Sequence, residues 1–100
     1  MVLVAAPSAA KAARIARALV EERLAACGNV VPRLRSTFRW EGRVREEAEA
    51  LLVLKTTRRR FQALRARVLA LHPYQVPEIL ALPVEAGHAA YLEWIASCTR

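Results

Sequence analysis

The sequence contains no aspartate and only two cysteines. The low cysteine content limits which disulfides and metal sites the protein can contain. Its two cysteines, Cys27 and Cys98, lie far apart and form no CxxC pair. A disulfide framework and a structural zinc site of ordinary spacing are therefore excluded. Two isolated cysteines are typical of reduced thiols, so we expect a cytoplasmic protein.

Long apolar runs are also missing. No run approaches the roughly 20 residues that a membrane-spanning helix needs. The opening segment, MVLVAAPS, has no basic region and is too short to resemble a signal peptide. We therefore expect no membrane partner and a single domain over residues 1–100, which is long enough to bury a core without a disulfide or a metal.

Basic residues exceed acidic ones by 16 to 9, which gives a net charge of +7. This favours anionic partners, but an RNA-binding module would carry base-stacking aromatic residues on its central strands. The matching segment here, ALLVLK (residues 50–55), has none. The run Arg58–Arg60 is interpreted as a solvated helix start. We expect only non-specific, salt-sensitive contact with nucleic acids.

The first third of the chain predicts a strand followed by a helix. Val2–Ala6 is a short apolar run that ends at Pro7, and Ser8 can then cap a helix. Apolar residues recur at helical spacing as far as Val20, and Gly28, just after Cys27, is predicted to end that helix.

The middle of the chain predicts a long hairpin. Residues Val30–Trp40 alternate in polarity, a turn at residues 41–43 follows, and Val44–Thr56 returns. The acidic start of the second arm is expected to lie roughly opposite the arginines of the first. Ala50–Leu54 is apolar on both faces, so something besides a helix must cover this strand.

The last third predicts a helix from Thr57 that Pro73 ends, an edge strand over Glu78–Val84, and a final helix after Gly87. The resulting order, βαββαβ plus a C-terminal helix, is that of an α+β, ferredoxin-like fold.

Four side chains have metal-ligating chemistry: Cys27, His72, His88 and Cys98. Their spacing matches no structural zinc site, although a weaker site assembled between elements or subunits stays open. Cys27 and His72 could also pair as nucleophile and base, but neither belongs to a catalytic motif. We interpret them as a buried cysteine and a histidine at helix ends, and expect no enzyme activity.

Five segments together resemble one known family, the CutA-type divalent-cation tolerance proteins. They are RALVEERLAACGNVVP (17–32), FRWEG (38–42), LKTT (54–57), LHPYQVPEILALPVEAG (71–87) and YLEWI (91–95). The resemblance extends over essentially the whole chain, and the combination of HPYxxPE, KTT and YLxW is highly specific.

The resemblance implies a ferredoxin-like subunit in a compact homotrimer, in which the hairpin strands of neighbouring subunits add to each other's sheets. It implies a role in tolerance of copper and other divalent metals, with metal or a regulatory ligand bound at clefts between subunits. Copper or another divalent metal would bind weakly and would not be required for folding. The alternative is a PII-like scaffold that binds a small molecule or a partner protein and has only incidental metal affinity.

Particular residues follow from the resemblance by position. His72 and Cys27 are the expected metal ligands. The intersubunit cleft is expected to contain Trp40, Lys55, Tyr74, Glu78, Tyr91 and Trp94. A structural interpretation, in which Lys55, Glu78 and Tyr74 only satisfy a buried interface, stays open beside it. The chain departs from some relatives by lacking a cysteine in its first strand, VLVAA, and by carrying His88 where a capping Asn or Asp is common.

Overall fold

A computed structural model describes residues 1–100 and contains the predicted elements in the predicted order. The strands are β1 (Val2–Ala6), β2 (Cys27–Trp40), β3 (Arg43–Lys55) and β4 (Ile79–Ala81); the helices are α1 (Ala9–Glu21), α2 (Phe61–Leu71) and α3 (Ala89–Cys98). All strand pairs are antiparallel, in the order β2-β3-β1-β4. The α+β class and the edge position of β4 are therefore confirmed.

The two faces of the sheet differ in how well they are covered. On one face, alternate residues of β1 and β3 are fully buried against α1 and α2, as Val4 and Leu52 illustrate. The opposite face carries Leu3, Leu51 and Val53, which are only half-buried. Because neighbouring residues of a strand point to opposite faces, the apolar run in β3 supplies both surfaces. Within the subunit, the second surface is left partly open.

Helix α1 begins as predicted but ends seven residues before Gly28, so the prediction for its end is wrong. The Ser8 hydroxyl accepts a bond from the Lys11 amide. At the other end Arg23 takes a left-handed conformation with φ of 60°. The amides of Arg23 and Leu24 then bond to the carbonyls of Val20 and Leu19, which is the Schellman pattern that usually requires glycine.

The hairpin is longer and more irregular than predicted, because β2 begins at Cys27 rather than Val30. Its register shifts between Val31 and Leu34, where Arg33 has φ of 61°. The turn has positive φ at Glu41 and Gly42, the geometry that suits a two-residue hairpin loop.

The acidic residues of β3 lie roughly opposite the arginines of β2, as expected, although the pairs are diagonal and not directly across from one another. Glu46 pairs in register with Thr37, and it forms its ion pair diagonally with Arg35, at 2.9 Å between Nε and Oε2. Both side chains are largely exposed, so this pair contributes little to stability, about 0–1 kcal/mol.

The proline-rich segment after α2 forms a shorter strand than the predicted Glu78–Val84. Ladder pairing covers Ile79–Ala81, and two further bonds join Leu82 to Met1. The Leu82 amide donates to the Met1 carbonyl at 2.7 Å, and the Met1 ammonium donates to the Leu82 carbonyl at 3.0 Å. A proline at position 83 has no amide to extend the ladder. Of the three helices, none has the length and apolar character needed to cross a membrane.

Candidate functional site

His72 is the capping residue after α2, and both of its ring nitrogens are engaged. The Tyr74 amide donates to Nδ1 at 3.1 Å, so Nδ1 must be unprotonated. Nε2 then carries the hydrogen and donates to the Ala5 carbonyl at 2.7 Å. The side chain is only 7% exposed. The buried imidazole therefore connects the end of α2 to β1 by a hydrogen bond.

The hydrogen bond from its amide to His72 places Tyr74 beside the imidazole. Its ring lies 4.7 Å from that of His72 between centroids, and its hydroxyl donates to Glu49 Oε2 at 2.7 Å. Burial raises the pKa of the Tyr74 phenol, and the hydrogen bond to Glu49 together with the nearby charges of Glu49 and Glu47 raises it further. The phenol is thus held as a hydrogen-bond donor.

A cleft of about 1040 Å³ lies between the hairpin and the segment 73–78, and we call it the hairpin cleft. Three of the six predicted cleft residues line it: Trp40, Tyr74 and Glu78. Its walls also include Phe38, Arg45, Glu47 and Glu49. Aromatic surface with charges of both signs suits a polar ligand that has a flat apolar part.

The other three predicted residues lie near the start of β2. Lys55 pairs in register with Cys27, and its Nζ hydrogen-bonds to Asn29 Oδ1 and lies 3.9 Å from the Cys27 sulfur. Tyr91 and Trp94 are on α3, with ring centroids 5.4 Å apart. Partial burial raises the pKa of the Tyr91 phenol, and the neighbouring Cys27 sulfur adds to this effect.

The two groups lie at opposite ends of the sheet. Extending the register of β4 places Glu78 beside Ala5, which pairs with Leu51. Lys55 is four residues further along β3, about 13 Å away at roughly 3.3 Å per residue, and two strand spacings to the side. One subunit therefore does not bring the six predicted cleft residues into a single site.

The same separation applies to the two predicted metal ligands. His72 contacts Ala5, whereas Cys27 lies beside Lys55 at the other end of β3. Cys27 is the first residue of β2 and does not end a helix, because α1 stops at Glu21. No three His, Cys, Asp or Glu side chains within the subunit come together in an arrangement that could hold a metal ion.

The remaining two candidates lie at the two ends of α3, the helix that carries Tyr91 and Trp94. His88 precedes α3 without a capping bond from its side chain, and Cys98 is a free thiol whose sulfur contacts the Ser97 hydroxyl at 4.0 Å. Sequence reasoning missed the role of Glu49 as the partner of Tyr74. The register of β3 against β1, and of β1 against β4, brings Glu49 close to the segment 73–78, and a single sequence does not specify it.

Comparison with known proteins gives a consistent assignment over almost the whole chain. A family described as "CutA1 divalent ion tolerance protein" matches residues 1–98. The "Divalent-cation tolerance protein CutA" of Thermus thermophilus is 54% identical over 99% of this chain and 96% of its own length. Human "Protein CutA" is 44% identical over 93% of this chain, and the chain spans about half (52%) of the human protein's length.

Solved structures agree with this assignment. The T. thermophilus divalent cation tolerance protein superposes with a TM-score of 0.96 at 55% identity, covering 99% of this chain and 96% of the other. A protein of Archaeoglobus fulgidus, described as a periplasmic divalent cation tolerance protein CutA, has a TM-score of 0.96 at 38% identity, covering 99% and 96%.

A third structure is described as a PII-like protein CutA from Nostoc and has a TM-score of 0.92 at 35% identity, covering 99% of this chain and 95% of the other. The relatives are named as tolerance proteins and not as enzymes. The sequence motifs, the strand order and these matches agree: the chain belongs to the CutA1 divalent ion tolerance protein family.

Proposed function

We propose that this protein acts in divalent-cation tolerance as a cytoplasmic homotrimer whose subunits jointly form a binding site for a small regulatory ligand. The observation that carries the proposal is the division of the predicted cleft residues into two groups at opposite ends of the sheet. A site that uses both groups needs a second subunit, which presents Lys55, Tyr91 and Trp94 to the hairpin cleft of its neighbour.

The partly open face of the sheet supports association. Leu3, Leu51 and Val53 on this face are half-buried, and Val31 is 42% exposed. Removing such apolar surface from water stabilises an assembly by about 25 cal/mol per Å². The hairpin, which extends beyond the paired part of β1, is the element long enough to cover a neighbour's face.

His72 precedes the hairpin-cleft residue Pro73, and its two hydrogen bonds disfavour a tightly held metal at this side chain. Metal binding at either ring nitrogen would break a buried hydrogen bond, to Ala5 or from Tyr74. The hairpin cleft instead offers the Trp40 ring together with the charges of Arg45 and Glu78. The description of the Nostoc structure as a PII-like protein in apo form supports this proposal.

Direct copper binding is the second candidate function, and the free thiol of Cys27 is the observation that favours it. Its thiol is free and only partly buried, and thiolate sulfur suits Cu(I). His72 could join it only as a ligand from another element or subunit, since the two lie apart within one subunit. The cytoplasm, where thiols stay reduced, suits such a site.

Covalent cross-linking tests the composite site without knowledge of the ligand. The chain has only two lysines, Lys11 and Lys55, so a carbodiimide, which joins lysine to carboxylate without a spacer, gives few products. We expect a Lys55–Glu78 cross-link between subunits. Mixed trimers of ¹⁵N-labelled and unlabelled chains identify it by its mixed-isotope peptide.

Lys55→Arg should abolish this product, whereas Lys11→Arg is the matched control and should leave it unchanged. Light scattering should give three times 11.1 kDa, about 33 kDa. A stable monomer at micromolar concentration, or a Lys55 cross-link confined to one chain, would contradict the proposal.

A further inference from the structure

A second cleft, which the proposed function does not use, lies between the start of β1, the 3-10 turn Arg58–Arg60 and α3; we call it the α3 cleft. Its volume is about 750 Å³, and eight of its thirteen lining residues are apolar. Two of these, Val84 and Leu92, are 51% and 39% exposed. Exposed apolar side chains gathered in one concavity are typical of a binding site.

The chain builds this cleft where β4 leaves the sheet. Leu82 exchanges two bonds with Met1, the residue before β1, and the chain then crosses to α3 without regular structure. Gly87 passes so close to α3 that an added Cβ would lie 3.1 Å from Leu92 Cδ2. The Gly87 backbone therefore packs directly against the Leu92 side chain at the edge of the cleft.

The polar groups of the α3 cleft differ in whether they have partners. Thr56 donates to the Leu24 carbonyl at 2.7 Å, and Thr57 lies 3.4 Å from the Thr99 hydroxyl. Gln62 accepts a bond from Arg65. The Arg58 carbonyl accepts from the Phe61 amide, but its guanidinium forms no hydrogen bond or ion pair, and no carboxylate lines the cleft.

The two arginines that follow Arg58 in the chain, unlike Arg58, have hydrogen-bond partners. Arg59 and Arg60 both donate to the Thr99 carbonyl, at 3.3 and 2.7 Å, and so fix the end of α3 against the start of α2. Arg58 is thus the unpaired guanidinium of the run, and it lies against an apolar cavity.

We propose that the α3 cleft binds a small, free amphiphilic carboxylate, with its apolar body against Phe61, Leu92 and Ile95 and its carboxylate on Arg58. The volume lies within the roughly 300–1,000 Å³ range of small-molecule sites. A guanidinium can hold a carboxylate through two parallel hydrogen bonds, so it selects the anion over a neutral or cationic head group.

Calorimetric titration with sodium decanoate, kept below its micelle concentration, tests the proposal. We expect one decanoate per subunit for the wild-type protein, and about tenfold weaker binding for Arg58→Gln, since loss of a charge-assisted contact changes an affinity by about that factor. Arg14→Gln, which removes the same net charge at an exposed position of α1, is the matched control and should bind as the wild type does.

Two further measurements test whether binding depends on the carboxylate and whether it occurs in the α3 cleft. Decyltrimethylammonium, a cation with the same chain length, should not bind. Val84→Glu places a carboxylate at a half-exposed position of the cleft and should abolish decanoate binding while the melting curve stays cooperative. Equal binding by wild type and Arg58→Gln, equal binding of the cation, or no decanoate binding to the wild type would overturn the proposal and leave the composite site unaffected.

Discussion

The Nε2–H group of His72 donates a 2.7 Å hydrogen bond to the carbonyl of Ala5, and so joins the end of α2 to the first strand across 67 positions of sequence. Pro73 follows at once and directs the chain into the segment that lines the hairpin cleft. The histidine of the HPY motif therefore has a structural function that accounts for its residue type without any ligand.

Substitution of His72 should cost stability according to which bond is lost. His72→Ala leaves the Tyr74 amide and the Ala5 carbonyl without their buried partner, and we expect a loss of about 2–4 kcal/mol in the free energy of unfolding. His72→Asn keeps an acceptor near the position of Nδ1 and should lose less. Urea denaturation measures both, and an equal loss would contradict the assigned role of Nδ1.

The Tyr74–Glu49 hydrogen bond should make stability fall at alkaline pH. Since folding raises the pKa of the Tyr74 phenol above its ordinary value of about 10, the folded state binds this proton more tightly than the unfolded state. The stabilisation is thus fully present below pH 10 and declines as the pH rises beyond it.

Tyr74→Phe measures that contribution. We expect the variant to be less stable than the wild type by about 1 kcal/mol at pH 8, a value reduced for the partial exposure of the pair, and the difference to shrink at pH 11. Urea denaturation of both proteins at the two pH values gives the comparison. A difference that grows between pH 8 and pH 11 would mean that the phenol does not donate to Glu49.

Sequence patterning predicts the class, order and edge strand of this fold because each depends on periodicity and on proline, which act locally. It fails at the end of α1. Glycine usually occupies the left-handed position that ends a helix, and here that position is occupied by Arg23. The patterning also misses the bulge at Val31–Leu34, because alternation of polarity alone does not show where one strand of a hairpin carries extra residues.

The candidate site could be predicted only as a set of residues. Family resemblance supplies Trp40, Lys55 and Glu78, but it does not reveal that the sheet separates Lys55 from Glu78 within one subunit. Distances between strands depend on register, and register depends on turn and bulge geometry that a single sequence does not specify.

Copper titration separates the two candidate functions. We expect Cu(II) to bind the reduced wild-type protein weakly, and more weakly still below about pH 6, because imidazole must be neutral to act as a ligand. His72→Asn and Cys27→Ser should each reduce binding if those side chains ligate. His88→Asn is a control for the other histidine.

If all these variants bind copper alike, the site lies elsewhere in the chain. If none binds above the level of protein-free buffer, direct copper binding is wrong and the regulatory-ligand function stands alone. Calorimetry on tag-free protein provides the measurement, since an affinity tag rich in histidine would itself bind copper.

Gly28 allows α1 to approach the sheet, and its replacement should show how tightly the two are packed. A Cβ at this position would lie 2.9 Å from the Ala16 Cβ and 3.1 Å from Leu54 Cδ2. Both neighbours belong to the core cluster, so we expect Gly28→Ala to lower the free energy of unfolding by about 1–3 kcal/mol.

Gly42→Ala is the matched control, because it makes the same change where nothing lies within 4 Å. Its φ of 76° should still cost about 1–2 kcal/mol, and Gly42→Asn should recover most of that loss because asparagine tolerates a left-handed backbone. Gly28→Asn, in contrast, should be less stable than Gly28→Ala, since the constraint at position 28 is space.

A double-mutant cycle isolates the contact between Gly28 and Ala16. Ala16→Gly should offset part of the loss from Gly28→Ala, so that the double variant is more stable than the sum of the single losses predicts. Strictly additive losses in urea denaturation would show that α1 shifts away from β2 instead of resisting the added methyl group.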